Sequence, residues 1–235
     1  MANILFIDSG FGGATIIKAL QNKYPQVNYI FHCENAFAPL GNKSKEFLVN
    51  LSTDIISRYI AQFDIKLVVL ACNTLTSACI QVLRKKFSNL NIVGVEPNVK
   101  VNSGKTIVIA TTYTINNCVI LKDKPFVKVS LPKLSYLIDK TYPKTKKCQH
   151  YLKCNLAKYS NYSNVVLGCT HYYLVSKELQ IIFKKATFYN SIDGVINQIC
   201  RVYDIKENCE GIQSVFLSKK NKALYKKLVK YLQID

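Results

Sequence analysis

A short pattern occurs twice in this 235-residue chain, and it limits the possible folds more than any other feature. Residues 68–74 are Val-Val-Leu-Ala-Cys-Asn-Thr, and residues 165–171 are Val-Val-Leu-Gly-Cys-Thr-His. In both copies an apolar run typical of a buried strand ends at a cysteine, and small polar residues then precede a helical pattern. Cys72 and Cys169 are separated by roughly 100 positions, a spacing that indicates two similar α/β halves rather than a solenoid of short units.

Strand and helix patterns alternate along the rest of the chain. Alternation of this kind predicts mostly parallel sheets wrapped by helices, so we expect an α/β fold with two pseudo-symmetric domains. The first domain is predicted to comprise residues 1–96 and 210–235, and the second residues 97–209. Ligands of open α/β sheets bind beyond the carboxyl ends of the strands. We therefore expect an active site in the cleft between the domains, with one cysteine entering from each side.

The charge of the chain raises a different possibility, a nucleic-acid-binding protein. Lys and Arg number 32 against 14 Asp and Glu, which gives a formal net charge of +18. Arginine, whose planar fork suits bases and phosphates, occurs only three times, as Arg58, Arg84 and Arg201. We expect nonspecific attraction to polyanions at low salt, and we keep nucleic-acid binding only as an alternative function.

Hydropathy points to a chain that works in the cytoplasm. Hydrophobic residues make up 49% of the sequence, enough for a substantial core. No stretch approaches the ~20 apolar residues of a membrane helix. The apolar run at residues 4–7 is too short for the core of a signal peptide. We predict a cytoplasmic protein without a membrane partner.

Nine cysteines are an odd number in a chain too long to need disulfide staples, so we expect reduced thiols. Cys148-x-His150-x3-Cys154 has residue types that bind zinc, which makes a zinc site an alternative reading. It lacks the paired Cys-x2-Cys elements of strong zinc sites, and we predict no metal.

Two thiols facing each other across a cleft suit one kind of chemistry, racemisation at a Cα atom. This reaction needs a base on one face of the substrate and an acid on the other, with the roles exchanged in the reverse direction. Helix N-termini favour thiolates, and both Cys72 and Cys169 are predicted to precede helices. The segment after Cys169 predicts a helix from about Tyr172 to Lys185. Donors for the carboxylate and ammonium groups of an amino acid are available at Ser9, Asn73, Thr74, Thr111 and Thr170.

The chain resembles the glutamate racemases of the aspartate/glutamate racemase superfamily. Each matching segment is short, but together they follow the family's order and spacing over most of the chain: Asp8-Ser-Gly-Phe-Gly-Gly13, Pro39-Leu-Gly-Asn-Lys-Ser44, Ala71-Cys-Asn-Thr74, Gly94-Val-Glu-Pro97 and Leu167-Gly-Cys-Thr-His171.

The resemblance implies an isomerase that uses two cysteines and no cofactor. By position, Cys72 would remove the proton from D-glutamate and Cys169 the proton from L-glutamate. Asp8 would assist Cys72, and His171 would assist Cys169. Asp139 falls where the family often has a catalytic-site glutamate. The substrate-binding positions implied by the resemblance are Asp8, Ser9, Leu40, Gly41, Asn73, Thr74, Thr111, Thr114, Thr170 and His171.

Glutamate is favoured over aspartate because aspartate racemases usually carry Glu where this chain has His171. A racemase acting on aspartate or another amino acid remains an alternative. D-glutamate made here would supply peptidoglycan synthesis, and we expect a homodimer. The chain departs from the family's pattern at Leu40, Phe37 and Glu34, where Tyr, Arg and Asp are usual.

Overall fold

The computed structural model describes residues 3–205 and 211–234. The domain boundary predicted at residues 209 and 210 lies outside these ranges. Within them the strands are β1 (Asn3–Asp8), β2 (Tyr29–Cys33), β3 (Ile65–Leu70), β4 (Asn91–Gly94), β5 (Thr106–Ala110), β6 (Val127–Ser130), β7 (Asn164–Gly168), β8 (Thr187–Tyr189) and β9 (Gln213–Leu217).

The strands form two separate sheets, and neighbouring strands within each sheet are parallel. One sheet has the order β4-β3-β1-β2-β9, and the other has the order β6-β5-β7-β8. The strand that precedes each repeated cysteine, β3 or β7, pairs with the strand that begins its sheet in the sequence, β1 or β5. The predicted α/β class with two similar halves is confirmed.

Helices connect the strands. Those described are α1 (Ala14–Lys23), α2 (Lys45–Gln62), α3 (Asn73–Lys86), α4 (Thr112–Asn117), α5 (Leu134–Thr141), α6 (Lys146–Leu156), α7 (Ser176–Ile182), α8 (Ile192–Val202) and α9 (Lys222–Leu232), with 3-10 helices at Leu40–Asn42, Val119–Leu121, Ala157–Tyr159 and Thr170–Val175. Ser44 caps α2 by accepting a hydrogen bond from the Phe47 amide at 3.2 Å, as its side-chain type predicts. In the described ranges, no helix combines the length and apolar character required to traverse a bilayer.

Both faces of the first sheet are buried, and this explains its nearly continuous apolar strands. Along β1, Ile4 and Phe6 contribute to one core cluster, whereas Leu5 and Ile7 contribute to the cluster on the opposite face. Successive side chains of a strand point to opposite faces, so a strand covered by helices on both sides must be apolar throughout. The apolar residues on both faces of β1 agree with its position as the central strand of this sheet.

Two parts of the second half differ from the sequence-based expectation. The helix expected from Tyr172 to Lys185 is shorter, because a 3-10 helix at Thr170–Val175 precedes α7. The stretch after Pro132 has a mixed sequence pattern that predicts no particular element, and in the structure Leu134–Thr141 forms α5 and Lys146–Leu156 forms α6. Their helical faces are narrow: α6 buries only Cys148, Leu152 and Leu156, and its remaining residues are mostly polar.

Helix α8 packs on the first sheet although it follows the last strand of the second. Val195, Ile196 and Ile199 belong to the same core cluster as Ile4 and Phe6. The predicted division into residues 1–96 with 210–235 and residues 97–209 stays a prediction. The packing of α8 favours a return to the first half shortly after β8.

Replacement of Ile199 by alanine tests whether α8 is packed in the core. Ile199 is fully buried, so Ile199→Ala should lower the free energy of unfolding by about 2–4 kcal/mol. Ile181→Ala on α7 is the matched control, because Ile181 is 56% exposed and its loss should change stability by about 0.5 kcal/mol or less. Urea unfolding of both variants gives the comparison. Equal stabilities would contradict the packing of α8.

Candidate active site

Cys72 stands at the junction between β3 and α3. It occupies the N-cap position of α3 and is 7% exposed. Burial raises the pKa of the Cys72 thiol well above its ordinary value, and the charge of Asp8 raises it further. The amides of Leu75 and Thr74 act in the opposite direction. The expectation that the helix N-terminus favours a thiolate is therefore half correct: the amides do act on the sulfur, but burial outweighs them.

Cys169 has the equivalent place in the second half, immediately after β7. It is 6% exposed and precedes the 3-10 helix Thr170–Val175 instead of an α-helix. Its sulfur lies 3.9 Å from Nδ1 of His171. The second thiol thus has an imidazole beside it, whereas the charged group that acts most strongly on Cys72 is the Asp8 carboxylate.

The two thiols share one electrostatic environment. A negative charge on Cys169 raises the pKa of Cys72, and so does a negative charge on Asp8 at the end of β1. Thr170, next to Cys169, donates its hydroxyl to Oδ2 of Asp8 at 3.2 Å. The carboxyl ends of both sheets therefore meet at these residues, although roughly 100 positions separate the cysteines along the chain.

Asp8 is fully buried, and its environment brings the pKa of the carboxyl group close to neutral pH. Burial raises its pKa from 3.8 to about 6, although the nearby His171, the Ser9 amide and the Thr170 hydroxyl all favour the carboxylate. The Ser9 amide donates to Oδ1 at 2.5 Å. A group with this pKa can exchange a proton with a neighbour near pH 7.

His171 is paired with Asp139 of α5. Its Nε2 lies 3.1 Å from Oδ1 of Asp139, which also accepts a hydrogen bond from the Phe11 amide at 2.9 Å. Burial alone would lower the pKa of His171, but the Asp139 carboxylate and Cys169 raise it well above its ordinary value. The Phe11 amide could not be recognised from the sequence, because a backbone donor carries no residue signature.

Glycines in the loop after β1 permit this close approach between the halves. A Cβ atom on Gly10 would lie 2.7 Å from Nε2 of His171, and one on Gly12 would lie 2.5 Å from Oγ1 of Thr170. Both separations are shorter than real Cβ contacts. The Gly12 amide also approaches Nε2 of His171 at 3.3 Å. The glycine-rich motif thus serves contact between the two halves.

Hydroxyl groups bridge the halves on the side of Cys72. Oγ1 of Thr74, at the start of α3, lies 3.0 Å from Oγ1 of Thr111, the N-cap of α4. Thr111 in turn donates to the hydroxyl of Thr114 at 3.0 Å. Gly41 lies against the same group, since a Cβ atom there would be 3.1 Å from Cβ of Thr111. These four predicted positions are therefore adjacent.

Asn73 and Leu40 are buried, but in different surroundings. Nδ2 of Asn73 donates to the Val95 carbonyl at 3.2 Å, whereas Oδ1 is buried and has no hydrogen-bond partner among the described residues. An unpaired buried acceptor is costly unless a ligand completes it. The Leu40 side chain belongs to the hydrophobic core, so only its backbone is available to a ligand.

Glu34, one of the departures from the family pattern, sits in a polar cluster behind Asp8. Its amide donates to the Asp8 carbonyl at 2.7 Å, and its carboxylate contacts His32 at 3.3 Å and the Ser218 hydroxyl at 2.5 Å. Burial opposes its ionisation, but the hydrogen bonds from His32 and Ser218 hold the pKa of Glu34 below its usual value. Phe37, another departure, is half exposed and packs edge-on against Phe47.

Two of the three residues of the zinc alternative are adjacent, because the Cys154 sulfur lies 3.7 Å from Nε2 of His150. Cys148 is buried and lies 3.5 Å from the Thr141 hydroxyl, whereas His150 and Cys154 are exposed on α6. No group of three potential metal ligands converges anywhere in residues 3–205 and 211–234. The cysteines of the described part of the chain are all free thiols.

Two cavities lie near the contact between the halves, away from the cysteines. One of about 330 Å³ adjoins Pro97 and Ser191, and one of about 420 Å³ adjoins Phe11 and Lys227. Neither is lined by Cys72 or Cys169. We assign the chemistry to the residues around the thiols, because Asp8, His171 and Asp139 interact there and do not line either cavity.

The two α/β halves hold ionisable side chains between the facing carboxyl ends of their sheets, which is the arrangement of an enzyme with its active site between two domains. Comparison with known proteins identifies the family. The chain is 33% identical to the glutamate racemase of Clostridium acetobutylicum, over 84% of this chain and 82% of that protein. It is 32% identical to the glutamate racemase of Buchnera aphidicola subsp. Schizaphis graminum, over 98% and 95%. No protein-family model matches it.

A solved structure agrees with these relatives on the fold. The glutamate racemase of Campylobacter jejuni superposes with a TM-score of 0.85 at 20% identity, over 99% of this chain and 98% of that one. The chain belongs to the glutamate racemase family. It is an isomerase, and its reaction is the interconversion of the two enantiomers of glutamate.

The raised pKa of Asp8 predicts a pH-dependent cost in stability. A carboxyl group whose pKa is 3.8 when unfolded and about 6 when folded stabilises the fold below pH 3.8 and loses this contribution as the pH rises through 6. The loss is about 3 kcal/mol. Asp8→Asn cannot ionise, so its stability relative to the native chain should increase by about 2–2.5 kcal/mol between pH 4 and pH 7, which is most of this amount.

Urea unfolding of the native chain and Asp8→Asn at both pH values measures this difference. Asp54→Asn is the control, because Asp54 is exposed on α2 and its replacement should leave the difference within about 0.5 kcal/mol at both pH values. A constant stability difference for Asp8→Asn would show that the folded pKa of Asp8 is not raised.

Proposed function

We propose that Cys72 and Cys169 are the two acid–base groups that racemise glutamate. The observation that carries the proposal is the hydrogen bond from Thr170, next to Cys169, to Asp8, which ends the strand that pairs with the one before Cys72. Each thiol has its own ionisable neighbour, Asp8 for Cys72 and His171 for Cys169. This division matches a reaction that needs one proton acceptor and one proton donor on opposite faces of a carbon.

Proton transfer between the thiols is balanced in both directions. With D-glutamate bound, the Cys72 thiolate removes the Cα proton and the Cys169 thiol donates its proton to the opposite face. Cys72 then carries the proton and Cys169 the negative charge, so the product is L-glutamate and the enzyme is ready for the reverse reaction. Net proton exchange with solvent restores the first state, and no electron transfer is required.

Asp8 supplies a route for forming the Cys72 thiolate. The pKa of Cys72 is raised by burial and by the charge of Asp8, so thiolate and carboxylate are unfavourable side by side. Transfer of the thiol proton to Asp8, whose pKa is about 6, avoids this repulsion. The positive ammonium group of a bound amino acid lowers the pKa of a nearby thiol in the same way as any cation. Thiolate formation is thereby coupled to substrate binding.

His171 has the corresponding role on the other side. The Asp139 carboxylate helps to keep the imidazole protonated, with its pKa raised well above the ordinary value, and its Nδ1 faces the Cys169 sulfur. A protonated imidazole stabilises the Cys169 thiolate and returns a proton to it.

The polar groups around the thiols suit the two ends of an amino acid. We propose that the unpaired Oδ1 of Asn73 accepts a hydrogen bond from the substrate ammonium group. The hydroxyls of Thr74, Thr111 and Thr114 and the amides of Gly41 and Ser9 are the proposed donors to carboxylates, with Thr170 and His171 on the opposite side. Leu40 contributes through its backbone only.

The cellular role follows from the product. We propose that D-glutamate made by this chain enters peptidoglycan synthesis, which takes its precursors from the cytoplasm. A homodimer and nonspecific attraction to polyanions at low salt stay predictions, the latter from the net charge of +18.

Replacement of each thiol tests the two-cysteine mechanism. Cys72→Ser and Cys169→Ser should each lower kcat by about 10²–10⁴-fold, because a serine hydroxyl has a far higher pKa than a thiol and therefore neither ionises nor gives up its proton as readily. Cys79→Ser is the matched control, since Cys79 is also buried on α3 but lies in the hydrophobic core, where the Ser52 hydroxyl donates to its sulfur. Circular dichroism of glutamate solutions measures racemisation. Full activity in both active-site variants would contradict the mechanism.

Isotope exchange and substrate choice provide a second test. In deuterated water, turnover should place solvent deuterium on Cα of the product. L-glutamate should be racemised and L-aspartate should not, since the family is that of the glutamate racemases. Proton NMR of both amino acids, incubated side by side with the native chain, measures both results. Faster exchange of aspartate would show that the alternative substrate is correct.

A further inference from the structure

Lys227 of α9 contacts the helix that carries Asp139. Its Nζ donates to the backbone carbonyl of Asp139 at 3.0 Å and lies 3.4 Å from that of Lys140. These carbonyls belong to the last turn of α5, which ends at Thr141, where helical carbonyls lack partners within the helix. A lysine ammonium group both satisfies such carbonyls and complements the negative end of the helix dipole.

The contact joins the two halves of the molecule. Helix α9 is anchored in the core of the first sheet by Leu224, Leu228 and Leu232. Helix α5 is anchored in the core of the second sheet by Leu134 and Ile138. Lys227 thus fixes the end of a helix in one half relative to a helix in the other half.

The position of α5 determines the geometry of the histidine pair. Oδ1 of Asp139 accepts hydrogen bonds from the Phe11 amide and from His171, at 2.9 and 3.1 Å. Helix α5 has only eight residues, and no side chain caps its N-terminus. A short helix of this kind depends on external contacts for its position. Lys227 is such a contact, and it holds the backbone of Asp139 itself.

We propose that Lys227 is a positioning residue for racemisation: it fixes the C-terminal end of α5 so that Asp139 stays hydrogen-bonded to His171 beside Cys169. The inference rests on the proposed role of His171. Lys227 touches neither thiol among its described contacts, so it acts on the reaction only through Asp139 and His171.

The chain supplies a control next to this residue. Lys226 is also on α9 but is exposed, so Lys226→Met removes the same charge from the same helix without affecting the α5 carbonyls. Lys227→Met removes the ammonium group and keeps most of the apolar stem. Lys227→Arg keeps a cation long enough to donate to the same carbonyls.

The first measurement is the NMR titration of the His171 imidazole, which does not require turnover. In Lys227→Met the His171–Asp139 hydrogen bond should weaken, so the pKa of His171 should fall towards the value measured in Asp139→Asn. Lys226→Met should leave the titration unchanged, and Lys227→Arg should restore it. Asp139→Asn gives the value expected when the carboxylate is removed completely.

The second measurement is steady-state kinetics with L-glutamate. Lys227→Met should lower kcat about tenfold, less than the ~10²-fold loss expected for a 1 Å misplacement of a reacting group. The fall in kcat should exceed any rise in KM, because Lys227 contacts none of the proposed substrate-binding groups and affects only the support of His171. Lys227→Arg should recover kcat, and Lys226→Met should resemble the native chain.

The outcomes separate this inference from the proposed function. A Lys227→Met variant with native His171 titration and native kcat overturns the positioning role, even if the native chain racemises glutamate. If the native chain does not racemise glutamate, the proposed function is overturned, whereas the titration result for Lys227 still stands. If Lys227→Met does not fold, Lys227→Gln, which retains a polar side chain, takes its place and is judged by the same titration.

Discussion

The hydrogen bond between Thr170 and Asp8 joins the two halves at the point where the proposed chemistry occurs. It brings the carboxyl end of β1 in the first sheet against the turn that follows β7 in the second. Because the loop after β1 contains Gly10 and Gly12, His171 and Asp139 can approach the same carboxyl end. The arrangement of thiols, carboxylates and imidazole therefore depends on this one close contact between strand ends.

Burial determines how these groups titrate. In water Asp8 would be ionised at pH 7 and His171 mostly neutral, but removal from solvent raises the pKa of Asp8 to about 6, and the Asp139 carboxylate raises that of His171. The same burial raises the pKa of Cys72. A carboxyl group beside one thiol and an imidazole beside the other thus give the two sides different proton-holding partners, although their backbone elements are similar.

Much of this arrangement could be predicted from the sequence because it depends on local patterns. Apolar runs ending in Cys72 and Cys169 predicted buried strands that lead into a site, and the duplication predicted two sheets. The prediction failed where local signals are weak. Helices α5 and α6 have few buried residues, and the Lys227 and Phe11 contacts use backbone atoms, which leave no mark in the sequence. The amides at the start of α3 do lower the pKa of Cys72, as expected from its position before a helix, but burial raises it by more.

The sequence by itself determined the class of fold, the two cysteines and the residues around each of them, since periodicity and short motifs act within a few residues of chain. Only the tertiary structure decided which groups from different halves meet. Thr74 bonding to Thr111, Thr170 to Asp8 and His171 to Asp139 are contacts between distant segments. They arise from the packing of one sheet end against another, and packing depends on the whole chain.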